Sequence, residues 1–507
     1  MTFTKSLLLG SSAVLLAVAG AQAADLPSRK AAPVEYVRVC DAYGAGFYWI
    51  PGTDTCLKVG GRVRVDTWYT PAKSAVQMRS TGGPAFTGAP TPGLPGAGVA
   101  GSSFTSANGV DQLGWYARGY IMMDARTQSA WGTVQTAVTL RLSAATGLAQ
   151  ASQLGSTPLA VAGATGATIE AAYIRFAGFT IGDAASNFTF LPTANNFHSI
   201  YSAQFTTGIR QFAYTATFGG GFSATVALEN RGDASTTQTA NALGFNPWSA
   251  TASTATVSGP QRLPALVGNL RVDQGWGSAM VSAMVQQNTA NFATPAAQAV
   301  TNGLGPLVTK TGWAVSGGVK INLPMLAAGD SVQAWVAYGV GALSYVAIPN
   351  LNSNTIATAN YLGGFLRGDR DMTIYCAGAG CLSYGAEQTA ALNVAGIFTH
   401  YWTPSLRSNF IASYLRVTPG RVTRNTDWTN GGLSEATAWS VQSNLIWSPV
   451  KNFDIGVELS YARLQQSLTG LNGGLPTAVP CTAAAPMCNA SISPSNWTGR
   501  MRVERTF

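Results

Sequence analysis

The chain has 507 residues, of which 46% are apolar and only 10% are charged, and its formal net charge is +9. It is too apolar to be disordered, and it carries far less charge than the roughly one quarter that is usual in soluble domains. The composition therefore indicates either a very large buried fraction or an apolar solvent around part of the protein. After residue 25, no stretch approaches the roughly 18 consecutive apolar residues that a membrane-spanning helix needs.

The chain begins with the pattern of a secretory signal peptide. Lys5 supplies a positive charge, Leu7–Ala19 form an apolar region, and Ala21-Gln22-Ala23 form a small-residue cleavage site. We expect residues 1–23 to be removed and the mature protein to be exported. Residues 24–56 are predicted to be a short periplasmic segment before the first strand, and residues 57–507 to form the main domain.

The cysteines occur as three local pairs, which fits export to an oxidising compartment. The pairs are Cys40 with Cys56, Cys376 with Cys381, and Cys481 with Cys488. We expect possible disulfides here, with reduced structural cysteines as the alternative, and the sequence leaves their connectivity open. The spacings do not match a zinc site.

From residue 57 onward, apolar and polar residues alternate with period two in segments of about ten residues, which predicts β-strands. In residues 61–69, for example, Val63 and Val65 share one face. Arg62 and Arg64 share the other face. About sixteen strands are predicted, near residues 57–69, 114–126, 131–142, 168–177, 179–184, 208–218, 221–230, 266–273, 276–287, 311–322, 331–340, 386–400, 404–417, 436–448, 452–464 and 496–507.

The linkers between these predicted strands alternate in length. Short turns, such as residues 127–130 and 448–451, alternate with long segments rich in Ala, Gly, Ser and Thr, such as residues 70–113 and 341–385. This pattern is typical of an all-β fold: a transmembrane, antiparallel, up-and-down β-barrel with short periplasmic turns and long extracellular loops. In such a barrel the outer face is apolar and the lumen is polar.

Aromatic residues agree with a membrane location. Four tryptophans lie within about two residues of a predicted short turn, where their rings would meet lipid headgroups. They are Trp131, Trp276, Trp402 and Trp447. The last predicted strand also ends on an aromatic residue, Phe507.

Several stretches resemble the porin family of α-proteobacterial outer membranes. They are Ala24–Gly44, Ile50–Arg64, Ala172–Thr180 and the terminal Phe507. The resemblance implies a homotrimer of sixteen-stranded general-diffusion channels, integral to the outer membrane of a Gram-negative bacterium. It also implies that one loop folds into each channel, and that Phe507 is an assembly signal read by the outer-membrane assembly machinery.

In that family the constriction loop follows the fifth strand, which places it here at about residues 185–207. The residues assigned to it are Asp183, Asn187, Asn195, Asn196 and His198. Many porin constrictions set acidic loop residues against a basic wall. Because residues 187–198 contain no carboxylate, we expect only the basic half of that arrangement.

The basic wall is predicted from arginines on the polar faces of the first three strands. They are Arg62, Arg64, Arg118, Arg126 and Arg141. The alternative role for each is pairing with a carboxylate at a rim or in a loop. A basic lumen with a nearly neutral loop predicts a water-filled channel for passive diffusion of small hydrophilic solutes and ions, with a weak preference for anions. The excess of basic residues could also reflect contact with anionic lipopolysaccharide, which together with membrane lipid is an expected partner.

Other function classes have less support. A hydrolase would need a nucleophile and a base such as histidine, but His198 falls in the predicted loop and His400 on the predicted lipid face. We therefore expect no enzyme activity and no catalytic residue, metal or cofactor. We expect no nucleic-acid partner either, because the arginines do not form a basic run. The alternatives left open are a surface adhesin and a sugar-selective channel, in which Phe188, Phe190, Phe197 and Tyr201 would line the path.

Overall fold

The computed structural model describes residues 39–69, 77–80, 102–105, 113–147, 164–190, 208–230, 255–258, 262–293, 307–346, 371–377, 383–420, 435–469, 489–492 and 495–507. Nearly all of these residues lie in β-strands or in the turns between them. Helical structure within these ranges consists of a 3-10 turn at Asp41–Tyr43 and one α-helical turn, α1, at Leu343–Val346. A helix of the length and hydropathy required to cross a membrane does not occur among these residues.

Sixteen strands in this part of the chain form one closed antiparallel sheet, so the predicted β-barrel is confirmed. Each strand pairs with the next along the chain, and the last pairs with the first. The barrel strands are β1 (Thr55–Tyr69), β2 (Leu113–Ser129), β3 (Gly132–Gly147), β4 (Ala164–Phe176), β5 (Phe179–Ala184), β6 (Ile209–Gly219), β7 (Phe222–Asn230), β8 (Ala265–Gln274), β9 (Gly277–Ala293), β10 (Leu307–Asn322), β11 (Ser331–Val340), β12 (Ala390–Thr403), β13 (Leu406–Thr418), β14 (Ala436–Val450), β15 (Phe453–Thr469) and β16 (Ser495–Thr506). Their ends differ from the predicted ends by at most six residues.

Short additional strands occur beside these sixteen, most of them in segments that were predicted to be linkers. They are Tyr48–Trp49, Gln77–Ser80, Ser102–Thr105, Ala255–Ser258, Met372–Ala377, Ser383–Gln388 and Asn489–Ile492. Ala255–Ser258 extends the sheet beside β9, and Asn489–Ile492 extends it beside β15. The longest linkers therefore contain strand structure that the alternation pattern did not predict.

Side-chain burial follows the predicted alternation. In β15, Val457 and Leu459 are 54% and 53% exposed, whereas Glu458 and Ser460 are 5% and 4% exposed. The same alternation holds along β11 and β14, where every second residue is buried. Large apolar side chains thus point outward, where lipid is their solvent, and the alternate residues point into the barrel.

On one side of the barrel, the chain reverses direction within two residues at six turns. Such turns follow β2, β4, β6, β8, β12 and β14, whereas an eight-residue turn joins β10 to β11. Gly221, in the turn after β6, has a φ of 82°, and a Cβ atom there would overlap the carbonyl oxygen of Asp273. Glycine is therefore required at this position. The exposed Trp131, Trp276, Trp402 and Trp447 lie beside these turns.

The barrel closes where β16 meets β1. Arg64 is the register partner of Glu504, and Asp66 is the register partner of Arg502. The pairing continues past the end of β16, because the backbone N–H groups of Gly61 and Phe507 each donate to the other residue's carbonyl oxygen at 2.9 Å. The Phe507 ring lies directly against Gly61, at a position where any side chain would clash with it.

The chain divides into two compact units, and the N-terminal unit ends at Leu57. Among its described residues, a disulfide joins Cys40 to Cys56 with a Cα–Cα distance of 6.1 Å, and both cysteines are buried against Phe47. The first of the three predicted pairs is therefore confirmed. Cys381, Cys481 and Cys488 lie outside the described residues, as do residues 1–23, so the other two pairings and the cleavage site stay predictions.

Candidate functional site

A group of arginines covers the inward faces of four neighbouring strands, β16, β1, β2 and β3. We call them the basic ladder, and its members are Arg62, Arg64, Arg118, Arg126, Arg141, Arg500 and Arg502. Each has the same parity as buried residues of its strand. The five arginines predicted from sequence thus lie on one continuous inward surface. Arg500 and Arg502 were missed, although they alternate with the outward Met501 and Val503 in a strand that was predicted.

Ion pairs hold five members of the basic ladder to their own or neighbouring strands. They are Arg62 with Glu504 (3.9 Å), Arg64 with Glu504 (2.5 Å), Arg126 with Asp124 (2.8 Å), Arg141 with Glu170 (2.7 Å) and Arg502 with Asp66 (2.6 Å). Pairing with a carboxylate at a rim or in a loop was the predicted alternative to a place in the basic wall. The structure places these pairs on the inward face of the barrel wall, so pairing fixes the guanidinium groups there without removing them from the lumen.

Two tyrosines orient the middle of the ladder. Arg118 donates to the Tyr120 hydroxyl at 2.8 Å, and its guanidinium lies 4.6 Å from the centre of the Tyr116 ring. Arg62 lies 4.0 Å from the centre of the Tyr120 ring. A cation over an aromatic face is attracted by the ring quadrupole, so these rings hold both guanidinium groups in place without adding a negative charge.

The ladder remains positive after its acidic neighbours are counted. The carboxylates that pair with ladder arginines, or lie opposite one in the sheet register, are Asp66, Asp124, Glu170, Glu504 and Glu458. Seven guanidinium groups against these five carboxylates leave two positive charges. The paired side chains of Arg62, Arg64, Arg126 and Arg141 are 19–31% exposed, so water reaches the surface and its field acts on dissolved ions.

After Ala184 the chain leaves the wall and runs across the inward faces of the next five strands. We call residues 185–190 the first inward segment. Its backbone is held by the Asn269 amide, which donates to the Asn187 carbonyl at 2.7 Å, and by the Ser282 hydroxyl, which donates to the Phe188 carbonyl at 2.8 Å. Ser316 adds a weaker bond to the same carbonyl. These contacts fix the segment to β8, β9 and β10.

The predicted constriction residues divide into three groups. Asn187 lies in the first inward segment, whereas Asn195, Asn196 and His198 lie outside the described residues. Asp183 does not lie in the loop, because it is the penultimate residue of strand β5 and belongs to the barrel wall. The Asp183 carboxylate lies 4.0 Å from the Arg210 guanidinium, and the two residues are register partners. Arg210 has the same parity as the outward Phe212, so it faces away from the lumen.

The aromatic residues of the first inward segment are packed. Phe188 is 0% exposed and Phe190 is 5% exposed, and Arg271 lies over the Phe190 ring at 5.6 Å. Neither ring is therefore open to a solute path, which removes these two residues from the aromatic lining that a sugar-selective channel would use. Phe197 and Tyr201 lie outside the described residues.

A second segment enters the barrel after β11. We call residues 341–346 the second inward segment; it includes α1, and all six of its residues are buried. Gln286 and Asn288 of β9 each donate to the Gly341 carbonyl at 2.7 Å. The Leu343 N–H donates to the buried Asp371 carboxylate at 2.6 Å. Sequence reasoning predicted a single inward loop, because this segment belongs to a long linker without an alternation signal.

The half of the barrel that carries both inward segments has a packed inner face. Its buried inward side chains include polar residues such as Ser282, Gln333 and Asn393, but apolar side chains lie between them, which the expectation of a polar lumen did not include. The buried inward apolar residues include Ala213, Ala227, Val267, Met280, Met284, Ala314, Trp335, Ala337, Ala395, Leu415 and Val417. The inner surface is therefore asymmetric, with a charged, partly exposed side at β16–β3 and a packed side from β6 to β13.

Comparison with known proteins gives consistent matches. A family model described as the porin subfamily matches residues 25–484. Porin Omp2b of Brucella canis is 34% identical over 282 residues, which cover 54% of this chain and 63% of that porin. Porin Omp2b of Brucella suis is 33% identical over 287 residues, which cover 54% of this chain and 64% of that porin. The matched regions thus span less than two thirds of the length of these relatives.

A solved structure shows the same fold. The crystal structure of the outer membrane channel DcaP of Acinetobacter baumannii has a TM-score of 0.52 to this chain, covers 90% of it and is itself covered to 99%. The two sequences are only 16% identical, so the likeness concerns the arrangement of strands alone.

Proposed function

We propose that this chain, which belongs to the porin subfamily, forms a water-filled channel for passive diffusion of small hydrophilic solutes and ions, with a weak preference for anions. It is an integral protein of the outer membrane. The observation that carries the proposal is the basic ladder, a positive surface that faces the inside of a closed barrel and is in contact with water. A fixed positive surface in a narrow aqueous path raises the local concentration of anions and so biases ion traffic.

The two inward segments support the same proposal through their position. They occupy the inner faces of β6 to β12, which lie across the ring of sixteen strands from the ladder strands β16, β1, β2 and β3. Filling that half narrows the barrel and directs water and solutes along the charged side. We propose that residues 185–207 form the constriction loop and that the five predicted arginines, with Arg500 and Arg502, form its opposing wall.

The first prediction concerns ion selectivity. In a planar bilayer with a tenfold KCl gradient, we expect the purified protein to give a reversal potential that corresponds to a chloride permeability above that of potassium. The preference should weaken at about 1 M salt, where the Debye length is only about 3 Å and fixed charges are screened. A reversal potential of the opposite sign at low salt would contradict the proposed anion preference.

The assembly partners are also proposals. We propose a homotrimer in contact with membrane lipid and lipopolysaccharide, and we propose that Phe507 is an assembly signal for the outer-membrane machinery; the exposed Phe507 ring at the end of β16 supports the latter. We expect single insertions to close in three equal conductance steps.

We also expect Phe507→Ala to reduce the amount of folded barrel in cells, measured by the heat-dependent shift in gel mobility, more than Thr506→Ala does.

A further inference from the structure

The two inward segments meet at a single buried carboxylate, Glu229, near the end of β7. Its side chain is 0% exposed. A carboxylate without access to water must have its oxygens filled by donors, because an uncompensated buried charge is very costly. The donors at Glu229 come from both inward segments, which approach it from different parts of the chain.

The first inward segment supplies three of these donors. The Asn187 backbone N–H donates to Oε1 at 2.8 Å, and the Asn187 side-chain amide donates to the same oxygen at 3.2 Å. The Ser186 hydroxyl donates to Oε2 at 2.9 Å. These bonds fix the point where the chain turns from β5 into the barrel.

The second inward segment supplies the fourth donor. The Tyr345 hydroxyl donates to Oε2 at 3.0 Å, so one carboxylate oxygen accepts from Ser186 of the first segment and Tyr345 of the second. The rings of Phe188 and Tyr345 also meet edge to face, with centroids 5.4 Å apart. Both rings are at most 1% exposed, so the two segments pack against each other without intervening water.

We propose that Glu229 is a positioning residue that joins the two inward segments into one unit, and that this joint unit, not the first loop alone, sets the width of the conducting path. The inference rests on the proposed channel function. A carboxylate has about four lone-pair sites, and these four donors fill them, so the loss of Glu229 removes the acceptor that the two segments share. Each segment then loses its shared anchor and the packed side of the lumen loosens.

The test is single-channel recording of Glu229→Ala. We expect conductance to rise by about twofold as the constriction widens, and neutral polyethylene glycols that the wild-type channel excludes should enter and lower the conductance. Single-channel recording measures only folded, open channels. A role of Glu229 limited to stability would therefore leave the conductance and the exclusion of polyethylene glycols unchanged.

Two milder variants separate the anchors and keep the test usable if Glu229→Ala does not fold. Tyr345→Phe removes only the hydroxyl of the second segment, and Ser186→Ala removes only the hydroxyl of the first. We expect each to raise conductance by a smaller factor. We also expect Tyr345→Phe to add nothing in the Glu229→Ala background, because its acceptor is already gone.

The matched control is Ser413→Ala, which removes another buried inward hydroxyl that is bonded to Ser440 at 2.7 Å. We expect its conductance to equal that of the wild type. If the wild-type protein forms no channel, the proposed function fails. If the wild type conducts and the Glu229, Tyr345 and Ser186 variants all match it, the channel function stands and the joint anchor is overturned.

Discussion

Replacing Leu140 by arginine should lower the free energy of unfolding in a lipid bilayer by about 2–4 kcal/mol, the cost of a basic residue at the midplane of the outer face. Leu140 lies in the middle of β3, and it has the outward parity of Leu142, which is 51% exposed. In the membrane these side chains contact lipid tails, where a guanidinium group loses its hydration. The expected loss corresponds to a roughly thirtyfold to thousandfold change in the folding equilibrium.

The adjacent residue gives the matched control. Thr139 lies at the same depth but has the inward parity of Arg141, so Thr139→Arg places the same side chain in the proposed aqueous lumen. We expect it to cost far less, with a repulsion from nearby arginines that salt screens. Urea titrations of folding into phospholipid vesicles measure both variants. Equal losses at the two positions would contradict the assignment of faces in β3.

The strands could be predicted from the sequence because their signal is local. In β15, the alternation of Val457 and Leu459 with Glu458 and Ser460 follows from the requirement that one face meets lipid, and no other part of the chain is needed to read it. The short turns are local in the same sense. The inward parity of Arg62 and Arg118 follows directly from these two features.

The inside of the barrel could be predicted only in part, because its packing depends on residues far apart in sequence. Tyr345 reaches Glu229 over 116 positions, and no period-two alternation around Tyr345 predicts this contact. A partial signal did exist. Glu229 is a carboxylate with inward parity beside the apolar inward Ala227, and the buried sequence from Ala342 to Val346 is unusually apolar for an extracellular loop. Asp183 is a different case, because the strand predicted at residues 179–184 already contained it, and its assignment to the loop did not follow from that boundary.

The strongest test of the proposed path is charge reversal on the basic ladder. In Arg62→Glu/Arg118→Glu, the charge of the inward surface defined above changes by four units, from two positive to two negative. Both arginines lie over the Tyr120 ring, and the Tyr120 hydroxyl is able to donate to a carboxylate at position 118 as well as to accept from an arginine. The fold should therefore tolerate the change, while the field along the path reverses.

We expect the double variant to prefer potassium over chloride, so that its reversal potential in a KCl gradient at about 0.1 M salt has the opposite sign to that of the wild type. At this salt the Debye length is about 10 Å, which is long enough for the ladder to act across a narrow path.

The control is Arg210→Glu/Arg416→Glu, which makes the same change in charge at two outward positions whose side chains are about half exposed. Because these sites face away from the lumen, the wild-type selectivity should persist. A shift of equal size in both double variants would mean that total charge, not the ladder, sets selectivity, and an unchanged reversal potential in Arg62→Glu/Arg118→Glu would place the conducting path elsewhere.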